Sequence, residues 1–276
     1  MTCKTRRSAF ALITASTRSK QLCLAALCAV TLGFAPGTHA QAQEGVNPEV
    51  ARMLELAVRE AEQLRQQLPT LQYEATMRVQ EWDGRGRLRG TARAKAIMRP
   101  GAEQPMTFLS REMQGKVRLP KGDKGSKKED DDNIPLDQFA REHQIPDRFE
   151  FQLGGTEEVA GGSARQIRFQ PKPNFPAKNR ADKFLNTISG TAWLNEETNK
   201  LVKFEMRLLR PFRLFWIIAV LKELKIEYEL LTPAEIIGRS KMKVFFALTT
   251  PVYSIRQLHD VELDNFRRRD TLAAAP

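Results

Sequence analysis

The sequence predicts a mainly β protein, one antiparallel sheet with a long helix at its start. Three observations carry that reading. Apolar residues recur at steps of three and four between Val50 and Leu68, which is the period of an α-helix. The period drops to two in "LQYEATMRV" and "LVKFEMRL", as in strands with one buried and one wet face. Between such runs stand Asp-Gly, Gly-Gly and Asn-containing turn signals.

Before the helix comes a different kind of segment. Residues 1–40 hold five basic side chains (Lys4, Arg6, Arg7, Arg18, Lys20) and no acidic one, with an apolar run from Leu22 to Phe34. The small-residue stretch "THAQAQ" follows, and cleavage after Ala40 or Ala42 fits a secretory signal peptide. The 13 apolar residues fall short of the roughly 20 that a spanning helix needs. Stable membrane insertion is therefore not expected, and a periplasmic or otherwise exported chain is. Removal of the leader takes away all three cysteines and lowers the formal net charge from +11 to +6. Such a chain needs an ordinary core instead of disulfides. So mild a charge does not point to nucleic acid.

From residue 41 onward a single domain is expected. Asn47 caps the first helix, Pro48 takes its first position and Glu49 suits its first turn. Val50, Met53, Leu54, Ala57, Ala61, Leu64 and Leu68 form its stripe, and Pro69 closes it. A strand with Leu71, Tyr73, Ala75, Met77 and Val79 on one face leads to the Asp83-Gly84 turn. The return strand carries Leu88, Gly90, Ala92, Ala94, Ala96 and Met98. A ladder of such small residues implies something bulky above it, either the first helix or a ligand.

"MTFLSRE" is strand-like, and residues 121–133 are so charged and glycine-rich that a solvated, mobile loop is expected. Its acidic run lacks the alternating carboxylates of a calcium loop. "PLDQFAREHQI" reads as a short polar helix with His143 exposed on it. Phe149, Phe151 and Leu153 then precede one turn, and Gly161-Gly162 marks a second, followed by Ile167 and Phe169. "GTAWLNEETNKLVKFEMRL" forms a hairpin whose buried row is Val202, Phe204, Met206 and Leu208, and at least two strands close the chain.

Catalytic signals are poor. The chain after the leader has two histidines, His143 and His259, neither in a catalytic string, with no cysteine and no "GxSxG" serine. Metal-ligand spacings and a phosphate-cradling glycine loop are missing, although two carboxylates could still meet in space. The expectation is a protein that is not an enzyme and needs no metal or cofactor. What remains is an apolar surplus larger than one helix can cover. The residues expected to line a hydrophobic cavity are Tyr73, Met77, Ala92, Ala94, Phe151, Phe169, Phe204, Met206, Phe212, Phe215 and Trp216. Aromatic and methionine-rich linings suit adaptable apolar sites, and plain core packing is the competing role for each of them.

The opening helix, the Asp-Gly hairpin, "GTAWLNEETNKLVKFE" and the closing "YSIRQLHDVELDNFRR" resemble the LolA-like superfamily of outer-membrane lipoprotein-sorting proteins. The resemblance covers most of residues 47–269 and implies an unclosed antiparallel β half-barrel with helices on its concave face. It implies acyl lipid or lipoprotein as the ligand of a carrier or chaperone. A sensing module that holds another envelope protein is the alternative. In this frame "LFWIIAVL", Leu214 to Leu221, either lids the half-barrel or rims its mouth, since leaving such a patch exposed invites association.

Overall fold

The structure, a computed structural model, describes residues 47–118, 136–215, 219–233 and 237–269, with no description of the Phe215 side chain. The expected leader (1–40), the charged loop (121–133) and Trp216 lie outside the described residues.

Helix α1 spans Pro48–Gln67, with Asn47 Oδ1 accepting the Glu49 N–H at 2.9 Å as its cap. A 3-10 turn, Leu68–Thr70, follows at Pro69. Strands β1 (Leu71–Asp83) and β2 (Leu88–Met98) form the expected hairpin. Asp83 Oδ1 accepts the N–H groups of Arg85 and Arg87 at 2.9 and 3.0 Å, and Gly86 supplies the positive φ of +80°. β3 is Met106–Gly115; α2 (Leu136–Glu142) and α3 (Ile145–Arg148) are short. Strands β4 (Phe149–Val159) and β5 (Gly162–Pro171) come next, then helix α4 (Arg180–Leu185). The chain ends with β6 (Ile188–Asn195), β7 (Leu201–Leu208), β8 (Phe212–Phe215), β9 (Ala219–Thr232), β10 (Arg239–Thr249) and β11 (Ser254–Arg268).

All eleven strands join one antiparallel sheet in the order β3-β2-β1-β11-β10-β9-β7-β6-β5-β4, with β8 paired to β9 off this path. The first strand thus pairs with the last, and the sheet stays open, with β3 and β4 at its edges. This is the half-barrel. The amphipathic helix α1 buries Val50, Leu54, Ala57 and Val58 against residues of β4 to β7, including Phe151, Phe169, Phe204 and Met206.

Four local expectations need correction. No turn follows Leu153: β4 runs on through Gly154 and Gly155 with a register shift, so the pair makes a bulge. Val202 is buried but joins a second cluster with Val159, Ala164 and Trp193, because the β6–β7 register slips beside Trp193. In its described parts "LFWIIAVL" belongs to the sheet and is not a separate lid over it. Phe212–Phe215 and Ala219 onward are paired strands of a hairpin. His143, expected on an exposed surface, is 6% exposed.

Candidate functional site

The strand registers place two continuous rows of paired residues on one face of the sheet. Because directly opposed residues share a face, the first row can be followed through ten strands. From β3 to β4 it reads Arg111, Ala94, Met77, Val261, Met242, Tyr228, Phe204, Ala192, Ile167 and Leu153. The adjacent row reads Met113, Ala92, Val79, His259, Val244, Ile226, Met206, Gly190, Phe169 and Phe151. Gly190 interrupts the side chains of its row because a Cβ there would come within 2.9 Å of the Phe169 ring and closer to backbone.

Among the described residues, the helices cover only part of this face. The hydrophobic cluster under α1, α2 and α4 takes in Phe151, Phe169, Phe204 and Met206 and ends at the partly buried Leu224, Tyr228 and Val244. Phe169 stacks on Phe204 at 5.9 Å and meets Phe149 edge-on at 5.7 Å. Four expected cavity residues are therefore packed core. Beyond Val244 the face continues as Met242, Val261, Met77 and Val79, all half-buried and outside that cluster. Met113, at the edge, is 47% exposed. Here the small-residue ladder lies: Ala92, Ala94 and Ala96 are at most 5% exposed.

Two borders frame the open half along the strands. At one end Tyr73 stacks on Phe266 at 4.8 Å, and burial pushes its phenol pKa up. At the other end Glu81 and Gln257, directly opposed and almost fully buried, grip the main chain after β3. Glu81 Oε2 accepts the Arg118 N–H at 2.5 Å, and Gln257 Nε2 donates to Glu81 Oε2 at 2.9 Å and to the Arg118 carbonyl at 2.6 Å. Arg89 Nη1 stands 3.6 Å from the other Glu81 oxygen, an ion pair without a hydrogen bond. The Arg118 guanidinium lies over the Tyr253 ring at 4.3 Å.

This clamp fixes a tautomer. With its amide nitrogen committed, Gln257 offers Oε1 to His259 Nε2 at 3.0 Å, so Nε2 carries the proton and donates. The ring also stacks on Phe246 at 5.6 Å, and burial lowers its pKa to about 4. At neutral pH His259 is an uncharged member of an apolar row.

The remaining expected lining residues lie apart. Phe212 is half-buried in the β8–β9 hairpin, edge-on to Phe184 at 5.3 Å. Of Phe215 only the backbone is described, as the end of β8.

Sequence reasoning missed a second polar centre, under the helices at the β4 side. Arg148, 0% exposed, donates from Nε to the His143 carbonyl at 2.9 Å and from Nη1 to Asn186 Oδ1 at 2.5 Å. Its Nη2 lies 3.2 Å from Asp182 Oδ1, and Phe175 stacks on the guanidinium at 4.7 Å. His143 Nδ1 donates to the same Asp182 oxygen at 2.7 Å, and Asp182 Oδ2 accepts the Lys178 N–H at 2.9 Å. Burial raises the Asp182 pKa, but His143, the Lys178 amide and Arg148 outweigh it and hold the carboxyl below its ordinary value. Both oxygens are committed to structure, so the His–Asp contact locks α2, α3 and α4 together. The available signal was Asn179-Arg-Ala-Asp182, in which Asn179 caps α4 by accepting the Asp182 N–H at 2.9 Å.

The opposite face is wet and carries ion pairs such as Lys95–Glu74 and Lys203–Glu157. A depression of about 160 Å³ is lined by Arg78, Gln80, Thr91, Arg93 and Asp260 together with Val79, Ala92 and Leu258, so charged and polar groups dominate it. Among the described residues there is no grouping of three metal-capable side chains and no helix long and apolar enough to cross a membrane.

No family model matches the chain, and no curated protein matches it. Several solved structures are similar over most of its length. A DUF1329 family protein from Desulfovibrio piger is 14% identical over 79% of this chain and 92% of its own, at a TM-score of 0.32. A putative outer membrane lipoprotein-sorting protein domain from Vibrio parahaemolyticus is 9% identical over 78% and 93%, at 0.27. The MucA/MucB complex of Pseudomonas aeruginosa contains a chain 11% identical over 77% and 98%, at 0.23. Likeness this loose does not decide function.

Proposed function

We propose that the protein is an exported, non-catalytic carrier or chaperone of the cell envelope that holds an acyl chain of a lipid or lipoprotein. One observation carries this reading: a mainly apolar face continues across the sheet from β4 to β2, yet the cluster under the helices reaches only Val244 and Tyr228. The part beyond, Met242, Val261, Met77 and Val79 with the alanines of β2, is apolar, adaptable and bordered by polar groups at one end. Covering a half-exposed methionine or valine with an acyl chain gains about 25 cal/mol per Å² of apolar surface removed from water. Several such residues in one row add up to useful affinity. Trp216 and Phe215 belong to the same proposal as a rim of the site.

Organic extraction of the purified protein, followed by mass spectrometry, tests it. Acyl lipid near one molecule per chain is expected. A lipid-free protein that instead captures one specific envelope protein would overturn the carrier reading in favour of a module that senses or holds a partner.

A further inference from the structure

One end of the half-barrel gathers exposed apolar tips and an excess of positive charge. Three segments meet there. A Cβ on Gly84, in the β1–β2 turn, would lie 3.3 Å from the Cβ of Ser254, where β11 begins. Lys116, just after β3, donates its N–H to the Arg89 carbonyl of β2 at 2.9 Å. The Arg118 guanidinium, over the Tyr253 ring, ties the same stretch to the β10–β11 turn. From these segments Val252, Leu88 and Tyr253 project at 86%, 55% and 38% exposure. Two acids of this end are already faced by arginines, Asp83 by Arg87 at 2.9 Å and buried Glu81 by Arg89 at 3.6 Å. Arg85, Lys116, Arg118 and Arg256, all exposed, tip the balance to positive. Glu223, the acid in the Arg256 row, stands two strands away. That is roughly 10 Å, about one Debye length.

We infer that this end docks peripherally on an anionic phospholipid surface. Lipid phosphates meet the cations, Val252 and Leu88 enter the interfacial layer, and Tyr253 sits at headgroup depth. Separate apolar tips on turns suit a yielding lipid interface. A protein partner favours one contiguous apolar patch ringed by polar groups. The inference goes beyond the carrier reading and stands without a bound acyl chain.

Co-sedimentation of the purified exported protein with phospholipid vesicles at about 0.1 M salt tests this. Vesicles of phosphatidylcholine with about one third phosphatidylglycerol should bind it on the order of tenfold more tightly than phosphatidylcholine alone. Arg85→Gln and Arg256→Gln should each weaken that binding about fivefold. Lys200→Gln makes the same charge change between β6 and β7, at the other end of the sheet, and should leave binding unchanged. Val252→Ser should weaken binding to both kinds of vesicle and keep the preference for the anionic one. Melting temperatures should not move, because all these side chains are exposed. Equal binding to the two kinds of vesicle would overturn the inference, as would arginine variants that bind like the unmodified protein. Failure to bind either vesicle would overturn it too, and capture of an acidic protein instead would give this end to a protein partner.

Discussion

Met77 of β1 and Val261 of β11 stand directly opposite each other across the seam where the first strand of the sheet meets the last. The seam brings residues far apart in sequence onto one half-buried apolar surface. Phe204, in the same row, is 0% exposed beneath the helices. The two positions should therefore answer truncation differently. Phe204→Ala leaves a cavity in packed core and should cost about 3–5 kcal/mol. Met77→Ala, on the open half, should cost about 1 kcal/mol or less while weakening acyl-chain uptake. Urea denaturation and ligand titration on the same preparations check both. A Met77→Ala loss as large as that of Phe204→Ala would make the open half ordinary core.

Arg148 and Asp182 supply a second contrast. Both are buried, so removing one strands the other without its counter-charge. Arg148→Met or Asp182→Asn alone should each destabilise by about 3–5 kcal/mol, and replacing both by apolar residues should recover much of that loss. The Asp182 carboxyl is held below its ordinary value. Its contribution is thus fully present above the unfolded-state pKa of about 4 and is lost as pH falls through the lower folded-state value. Acid titration of thermal stability should show a loss below about pH 4 that Asp182→Asn lacks.

Much of the architecture was legible because its signals are local. The helix stripe, the Asp83 turn and the alternation of β1, β2 and β7 each declare themselves within a dozen residues. Strand β9 also alternates, with Leu224, Ile226, Tyr228 and Leu230 on one side and Lys225, Glu227 and Glu229 on the other. The apolar run just before it hid that parity. Gly154-Gly155 serves a turn or a bulge equally well, and only pairing with β5 decides. The site was legible in composition but not in extent. Which of the large apolar residues face a helix and which stay open depends on registers between strands remote in sequence. His143 was misread because its burial depends on Asp182, 39 residues away.

His259 predicts a pH dependence of its own. Burial lowers its pKa to about 4, against about 6.5 in an unfolded chain. A base whose folded-state pKa is depressed stabilises the fold fully above the unfolded value, and that stability is lost as pH falls from about 6.5 towards 4. The full window corresponds to roughly 3 kcal/mol. Melting temperature followed across this range should fall more steeply in the unmodified protein than in His259→Gln, which keeps a donor for Gln257. Identical slopes would show that the imidazole is solvated.

The last prediction concerns the clamp. Glu81 and Gln257 bind the N–H and carbonyl of Arg118 as a neighbouring strand would, fixing the main chain after β3 against the end of the open face. A buried amide that loses its partner costs about 1–3 kcal/mol, so Gln257→Leu should free this stretch and leave the strand ladder of β10 and β11 intact. The peptide bonds after Lys116 and Arg118 are then the sites to watch. In the folded protein trypsin should cut them slowly, since cleavage requires the stretch to leave Glu81 and Gln257. In Gln257→Leu the cut should come on the order of tenfold faster, the factor that about 1.4 kcal/mol of lost holding energy gives when opening is in equilibrium. Global unfolding would accelerate cleavage everywhere, so cuts within β1 or β7 provide the control. Faster cleavage confined to 116–118 supports a clamp; cleavage unchanged there would mean that the two side chains hold nothing the fold does not already hold.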